Sequence, residues 1–357
     1  MDQYMLGWPR AWDRLFPDVI KSAVRIVEKH KHLCIGLAPD GRSINCHIAG
    51  KTLFEAASDA ELPVVGDWCV LGDAYIDKTN RPAAQLKRIL PRRTVITRLG
   101  AGPKTETQAL ASNIDVLFVV TSANREFNIG RLRRYMLVAE HGFLTPVIVI
   151  SKSDLLAEAT DDLQKVLQSS FPGVQSIATS AVDGTGISAV SALIKPGTTA
   201  AFLGSSGVGK STLVNALLEV DVQKTNKIRE NDAHGRHTTS GSELFFVRDG
   251  GMIIDTAGLR EVGLVADEGV LDRLMPSVQE LASECRFGDC SHTSEPGCAV
   301  LEALESGALP VEEYEGYNKL QREIAYTKRK FDQQAANAER DRWKKITVDN
   351  RRRYNER

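Results

Sequence analysis

Gly204-Ser205-Ser206-Gly207-Val208-Gly209-Lys210-Ser211 fits G-x-x-x-x-G-K-[ST], the pattern of a phosphate-binding loop. An apolar stretch, Thr199 to Leu203, precedes it, and a helix-like run, Thr212 to Leu218, comes after. That strand–loop–helix context separates a true phosphate loop from a chance match. Glycines at 204, 207 and 209 let backbone N–H groups turn inward around phosphate oxygens. The helix after the loop adds partial positive charge at its N-terminus. Lys210 has the reach for β and γ phosphates, and the Ser211 hydroxyl for Mg²⁺. The loop therefore implies an α/β sheet and a nucleotide, but not which nucleotide.

A guanine reader needs an acceptor for the base's N1–H and exocyclic amine, and one carboxylate serves both. Ser151-Lys152-Ser153-Asp154 follows the apolar run Val147-Ile148-Val149-Ile150 and precedes the helix-like Leu155-Leu156-Ala157. It resembles the N/T-K-x-D motif of GTPases. There Asp154 would pair with guanine and the Lys152 stem would cover the base. Ser151 stands where Asn or Thr is usual. The alternative for Asp154 is a cap on a strand-to-helix turn. Thr179-Ser180-Ala181 looks like a base-supporting loop. Asp255-Thr256-Ala257-Gly258 fits D-x-x-G, where the Asp holds a Mg²⁺ water and the Gly N–H meets the γ phosphate. Gly235-Arg236-His237-Thr238-Thr239-Ser240 supplies switch threonines, with Thr239 a second Mg²⁺ ligand. All five segments come after predicted strands or join them, where open α/β sheets put ligand sites.

The order is inverted. The base-reading segments precede the phosphate loop, and the switches come after it, so the chain is a circular permutation. Domain termini lying close together make that joining admissible. The chain beyond Gly258 is attached to the segment that responds to the γ phosphate.

This C-terminal part includes Cys285-x4-Cys290-x-His292-x5-Cys298, three thiolates and an imidazole that suit one closed tetrahedral Zn²⁺ site. Pro296-Gly297 supplies a turn that brings Cys298 back. Disulfides or unrelated buried thiols are the alternatives. Met1 to Arg10 lacks the long apolar core of a signal peptide. A cytoplasmic setting is expected, and it favours metal over disulfide. Cys34, Cys46 and Cys69 lie among apolar residues, as small buried hydrophobes do.

Short alternating runs from Leu33 to Ile96, with turns at Pro39-Asp40-Gly41, Ala49-Gly50 and Gly66-Asp67, predict a small β-barrel. Arg81, Lys87, Arg88, Arg92, Arg93 and Arg98 gather late in it, either for RNA or as a charged strand edge. Gly100 to Gln108 reads as a linker. Near the C-terminus Leu320, Ile324 and Phe331 recur at helical spacing beside Lys328-Arg329-Lys330, and Arg351-Arg352-Arg353 closes a basic tail. The length suits two to three domains. A hydrophobic fraction of 42% and a charged fraction of 25% are ordinary for a globular protein. The net charge of -1 confines any RNA affinity to local patches. No stretch reaches transmembrane length, and no membrane partner is expected.

With these motifs in this order, the chain resembles the circularly permuted, ribosome small-subunit-dependent GTPase A family of bacteria. The resemblance covers nearly the whole chain. It implies an all-β OB-fold barrel, an α/β circularly permuted P-loop GTPase and an α-helical zinc-binding domain. The expected boundaries are an arm over 1–32, the barrel over 33–99, the GTPase over 109–265, the zinc domain over 266–335 and a tail over 336–357. It implies GTP hydrolysis to GDP with Mg²⁺, stimulated by the small (30S) ribosomal subunit, late in that subunit's maturation. The implied partners are that subunit and its rRNA, and a monomer is expected. The nucleotide set is Ser151 to Asp154, Ser180, Ala181 and Gly204 to Thr212. Asp255, Gly258, Thr238 and Thr239 carry the catalytic end. Leu259 comes directly after D-x-x-G, where many GTPases use a water-orienting Gln. His237 is the internal candidate for that task, with a structural or RNA-facing role as its alternative. A P-loop ATPase and a GTP-gated RNA-binding scaffold with negligible turnover are the competing readings.

Overall fold

The first barrel strand begins at Ala23, inside the stretch read from sequence as an arm. In the computed structural model, β1 (Ala23–Lys29), β2 (Leu33–Leu37), β3 (Ser43–Ile48), β4 (Trp68–Ile76) and β5 (Pro82–Ile89) run in the order β1-β2-β3-β5-β4. β4 pairs back onto β1, closing an OB-like barrel without free edges. The structure describes residues 2–20, 22–30, 33–48, 59–99, 107–123, 127–155, 157–219, 242–248, 250–256 and 268–329.

β1 escapes an alternation test because both of its faces are covered. Val24 and Ile26 join Cys34, Cys46, Cys69 and Leu86 in the barrel core. Burial pushes the Cys34 thiol up to about 11 and the Cys46 thiol to about 12. Between Val24 and Ile26 stands Arg25, 0% exposed. Its guanidinium donates to the Leu6 carbonyl and, at 3.0 Å, to the Asn113 carbonyl. Burial pulls its pKa down to about 10. Leu6 belongs to an N-terminal segment with one short helix, α1 (Trp12–Leu15). Trp8 in that segment meets Trp12 and Trp68 edge-on at 5.2 and 5.0 Å.

Three of the six basic residues that suited either RNA or a charged strand edge have partners within the fold. Asp67 is 0% exposed. It accepts a two-pronged bond from Arg92, both arms 2.8 Å, and further bonds from Ser112 and Val64. A carboxylate so buried needs a cation; losing one partner of such a pair costs about 3–5 kcal/mol. Arg93 pairs with Asp115 at 2.8 Å, and Arg98 donates to Gln108 at 3.0 Å.

β6 (Val95–Leu99) and β7 (Thr107–Ser112) form a two-stranded sheet. Next come β8 (Val116–Ser122), α2 (Ile129–His141), β9 (Thr145–Ser151), α3 (Ala157–Ser170), β10 (Gln175–Ala178) and α4 (Ile187–Ser191). β11 (Thr199–Leu203), α5 (Lys210–Glu219), β12 (Ser242–Phe246) and β13 (Met252–Thr256) complete the α/β part. β10, β9, β8, β11 and β13 lie side by side in parallel. Strands covered on both faces read as unbroken apolar runs, which is why Val147 to Ile150 shows no alternation. Phe118 and Phe202 stack at 5.0 Å in that core. β12 runs antiparallel to β13 and also pairs with β1, through Glu28 opposite Glu243 and Lys29 opposite Ser242. Barrel and α/β layer thus share one eleven-stranded sheet.

The chain forms two compact units, Met1–Arg98 with Gln108–Val262, and Leu99–Thr107 with Gly263–Arg357. The second contains α6 (Glu268–Leu274), α7 (Pro276–Ser283), α8 (Ala299–Glu305) and a last helix, α9, over 311–329. Pro276 opens α7, where its missing N–H is no loss. Leu320 and Ile324 of α9 are buried, as their spacing implies, along with Val278 and Val300. Ser277 bonds Glu313 at 2.6 Å and Tyr317 bonds Asp272 at 3.3 Å, tying α9 to α6 and α7. Phe331 and the basic tail lie outside the described residues.

Candidate nucleotide and metal sites

Every residue of β11 is buried, so the chain leaves the sheet interior abruptly at Gly204. A Cβ on Gly204 would come within 2.4 Å of the Val120 carbonyl oxygen. Gly207 and Gly209 have φ of 77° and 100°, a region that disfavours side chains. α5 starts at Lys210, which aims its helix N-terminus at the loop. A cavity of about 330 Å³ opens there. Ser206, Gly207, Gly209, Lys210, Ser211 and Thr212 line it from loop and helix, and Lys152 from the neighbouring loop. The Lys210 ammonium donates to the carbonyls of Gly204 and Ser205 at 2.6 and 2.5 Å. Two ammonium groups, a helix N-terminus and glycine backbone around one polar hollow fit a polyphosphate and Mg²⁺.

The loop after β9 is fastened to the phosphate loop directly. Ser151 is 5% exposed. Its hydroxyl lies against the Val208 carbonyl and 2.9 Å from the Thr121 carbonyl. Lys152, at φ 57°, sends its ammonium 2.8 Å to the Gly207 carbonyl. Ser at position 151 therefore still reaches the neighbouring loop. Asp154 is exposed on a single 3-10 turn, Ser153–Leu155, beside the cavity and not in its lining.

The loop after β10 supports that turn. The Ser153 N–H donates to the Thr179 carbonyl at 3.1 Å, and the Thr179 N–H to the Ile150 carbonyl at 2.7 Å. Ser180 is fully buried, and its hydroxyl accepts from the Val182 N–H at 3.2 Å. Asp255 sits near the carboxyl end of β13, directly beside β11 in the parallel sheet. Segments distant in the chain thus meet at one edge of one sheet, the carboxyl ends of its parallel strands. Gly235 to Ser240, with His237, Thr238 and Thr239, lies outside the described residues, as do Ala257, Gly258 and Leu259.

Sequence reasoning missed Asp115. Its carboxylate accepts the Thr199 N–H at 2.8 Å as well as the Arg93 bond at 2.8 Å. It anchors the first residue of the strand that ends in the phosphate loop. Its partner is 84 positions away, so no local pattern announces it.

The second unit carries its own cluster. One donor atom each from Cys285, Cys290, His292 and Cys298 lies within 4.8 Å of the others. Cys285 and Cys298 sulfurs are 3.8 Å apart, and His292 Nδ1 is 3.5 and 3.3 Å from them. A tetrahedral ion with Zn–S bonds of about 2.3 Å sets sulfur–sulfur edges of about 3.8 Å. The donor set and its spacing fit zinc. Local bonds hold the knuckle in shape. The Glu295 carboxylate accepts from the N–H groups of Ser291, Thr293 and Ser294 at 2.9, 3.0 and 3.1 Å. The Ser291 hydroxyl bonds it too and, with those amides, holds its carboxyl well below the usual range. Tyr314 on α9 donates to the His292 carbonyl at 3.0 Å. Arg286 N–H meets the Gly297 carbonyl at 3.0 Å, closing the turn expected at Pro296-Gly297.

Comparison with known proteins bears on both sites. The RsgA GTPase family model matches residues 89–265. The chain is 41% identical over 349 residues to the small ribosomal subunit biogenesis GTPase RsgA of Opitutus terrae, across 96% of this chain and 95% of that one. It is 41% identical over 293 residues to a protein of the same description from Listeria innocua, across 82% of this chain and 81% of that one. Among solved structures it resembles YjeQ from Thermotoga maritima, with TM-score 0.58 and 27% identity, over 85% of this chain and 98% of that one. It also resembles YloQ, described as a circularly permuted GTPase, with TM-score 0.56 and 25% identity, over 85% and 94%.

Proposed function

The chain belongs to the RsgA GTPase family, and from that premise we propose that it hydrolyses GTP at this sheet edge while assisting maturation of the small ribosomal subunit. The observation that carries the site assignment is the fastening of the Ser151–Asp154 loop to the phosphate loop through Ser151 and Lys152. A base reader bonded to a phosphate cradle is what a single bound nucleotide requires.

The roles derive from chemistry. Gly204 to Gly209 turn backbone N–H groups toward the phosphates, and Lys210 balances their charge. Ser211, with Thr239 from the switch, holds Mg²⁺, which neutralises charge on the phosphate oxygens when bound. Asp154 accepts two hydrogen bonds from guanine, which adenine cannot donate. Ser180 and Ala181 back the base. Asp255 and Gly258 respond to the γ phosphate. Cys285, Cys290, His292 and Cys298 hold zinc in a structural role. The protein occupies the small subunit and its rRNA in the GTP state and leaves after hydrolysis.

Leu259 cannot orient water, so unaided turnover is slow, and the subunit organises the site. In related systems such help is worth about 10³–10⁵ in rate. His237 is assigned as the water-orienting group. His237→Ala then lowers subunit-stimulated turnover by about 10²-fold or more and leaves GTP affinity unchanged; unchanged stimulated turnover removes His237 from the mechanism. The whole reading is tested by phosphate release from GTP and from ATP, with and without purified small subunits. Stimulation confined to GTP is expected. Equal use of ATP, or no response to subunits, overturns it.

A further inference from the structure

The distal half of the β4–β5 hairpin stands clear of the barrel core, with Asp73 to Ile76 and Lys78 to Pro82 exposed. Tyr75 is 47% exposed and Ile76 63%. The Tyr75 ring lies against the ring of His47 on β3, with centroids 6.2 Å apart and planes 26° apart. β5 runs between the two strands, with Gln85 opposite His47 and Ala83 opposite Tyr75. Ala83 is fully buried, and its small side chain lets the rings meet across it. His47 Nε2 is buried without a hydrogen-bond partner among the described residues. Stacking, not hydrogen bonding at that nitrogen, holds the ring in place.

The same outer face continues along β5 from Gln85 to Lys87, by strand alternation. The Lys87 stem passes over Gly72, where an added Cβ would come within 3.0 Å of Lys87 Cε. An exposed aromatic face, an amide and an ammonium therefore succeed one another on one strip. Charge in the hairpin favours an anion. In number, Lys78, Arg81, Lys87 and Arg88 exceed Asp73 and Asp77 there. Asp77 is occupied in the turn, by Asn45 at 2.7 Å, by Thr79 N–H and hydroxyl at 2.8 and 2.6 Å, and by Arg81 N–H at 3.1 Å. A protein partner would use the ring and Ile76 but has no need of the basic flank; a nucleic acid uses both.

We propose that Tyr75, backed by His47, is a stacking platform for an unpaired base of single-stranded RNA, with Gln85 at the base edge and Lys87 at the phosphate. This rests on the small-subunit reading and narrows it to unpaired rRNA on the barrel. A base on an aromatic ring is worth about 1–3 kcal/mol, whatever its identity.

The test is binding of a labelled single-stranded RNA, and of its fully paired duplex, to the wild type, Tyr75→Ala and Tyr75→Phe. Tyr75→Ala is expected to weaken single-strand binding by about 5- to 150-fold, with duplex binding and basal GTP hydrolysis unchanged. Tyr75→Phe keeps the ring and stays near wild type. Absent single-strand binding by the wild type, a Tyr75→Ala protein that binds like wild type, or a Tyr75→Phe protein as weak as Tyr75→Ala each overturns the platform. So does a Tyr75→Ala loss seen on intact subunits but not on protein-stripped rRNA, which assigns the face to a ribosomal protein. If single-strand binding depends on Tyr75 while subunits fail to stimulate hydrolysis, the platform stands and the functional reading falls.

Discussion

The phosphate cradle and the Cys3His knuckle are both small sites, but they are held by opposite means. The cradle is backbone. Its shape comes from glycine dihedrals, from the carboxyl ends of buried parallel strands and from loop carbonyls gripped by Lys210, Lys152 and Ser151. The large apolar core behind it includes Phe118, Val149, Phe202 and Ile253. The knuckle is side chain. Its donors converge on a centre, while the nearby core is a few helices with Val278, Val300 and Leu320 buried. A site supported by a sheet persists without its ligand. A site made of thiolates facing one another depends on the ion that neutralises them.

The widest separation between the two is expected on metal removal. Structural zinc in small domains contributes about 10–16 kcal/mol of apparent binding free energy, which is folding free energy. Chelation should strip hydrogen-exchange protection from the helices over 268–329 and leave GTP binding nearly intact. Protection that survives complete zinc loss would break the contrast, because the knuckle would then be self-supporting. Lys210→Ala comes next. Removing a charged donor worth about 1.5–3 kcal/mol should lower GTP affinity by about 10- to 100-fold in calorimetry, with the melting temperature little changed. A collapse of the fold instead would mean the cradle is held by that side chain and not by backbone. Asp154→Asn should cost a similar or smaller share of GTP affinity, about 10-fold, and turn preference toward xanthosine triphosphate. Preference unchanged in competition would remove Asp154 from the base. Ser151→Ala is the finest probe. It withdraws one buried donor from the Val208 and Thr121 carbonyls, about 1 kcal/mol, and should weaken GTP binding only a few-fold. An effect as large as that of Lys210→Ala would show that the joint between the loops, not the cradle itself, limits affinity.

Legibility in the sequence tracked the distance between partners. Gly204 to Ser211, Ser151 to Asp154 and Cys285 to Cys298 gather their residue types within short segments, so spacing and flanking context single them out as candidates. Their reversed order also announced the permutation. Arg92 and Arg93 stayed ambiguous in the sequence, because a basic residue looks alike whether it faces RNA or a carboxylate of its own fold. Their partners Asp67 and Asp115 are 25 and 22 positions away. β1 was hidden for a related reason: Arg25 interrupts an apolar strand and is buried by groups from Leu6 and Asn113.

Local chemistry was legible in the chain itself: a glycine loop with its lysine, a carboxylate after a strand, a set of soft metal donors, and the order in which they come. These need only a short peptide to be recognised, since dihedral freedom and donor type belong to individual residues. Tertiary structure decided which charges are internal, where the barrel begins, and that β1 and β12 join two layers into one sheet. Those outcomes depend on which distant groups are desolvated together, and burial is a property of the assembled molecule, not of any segment.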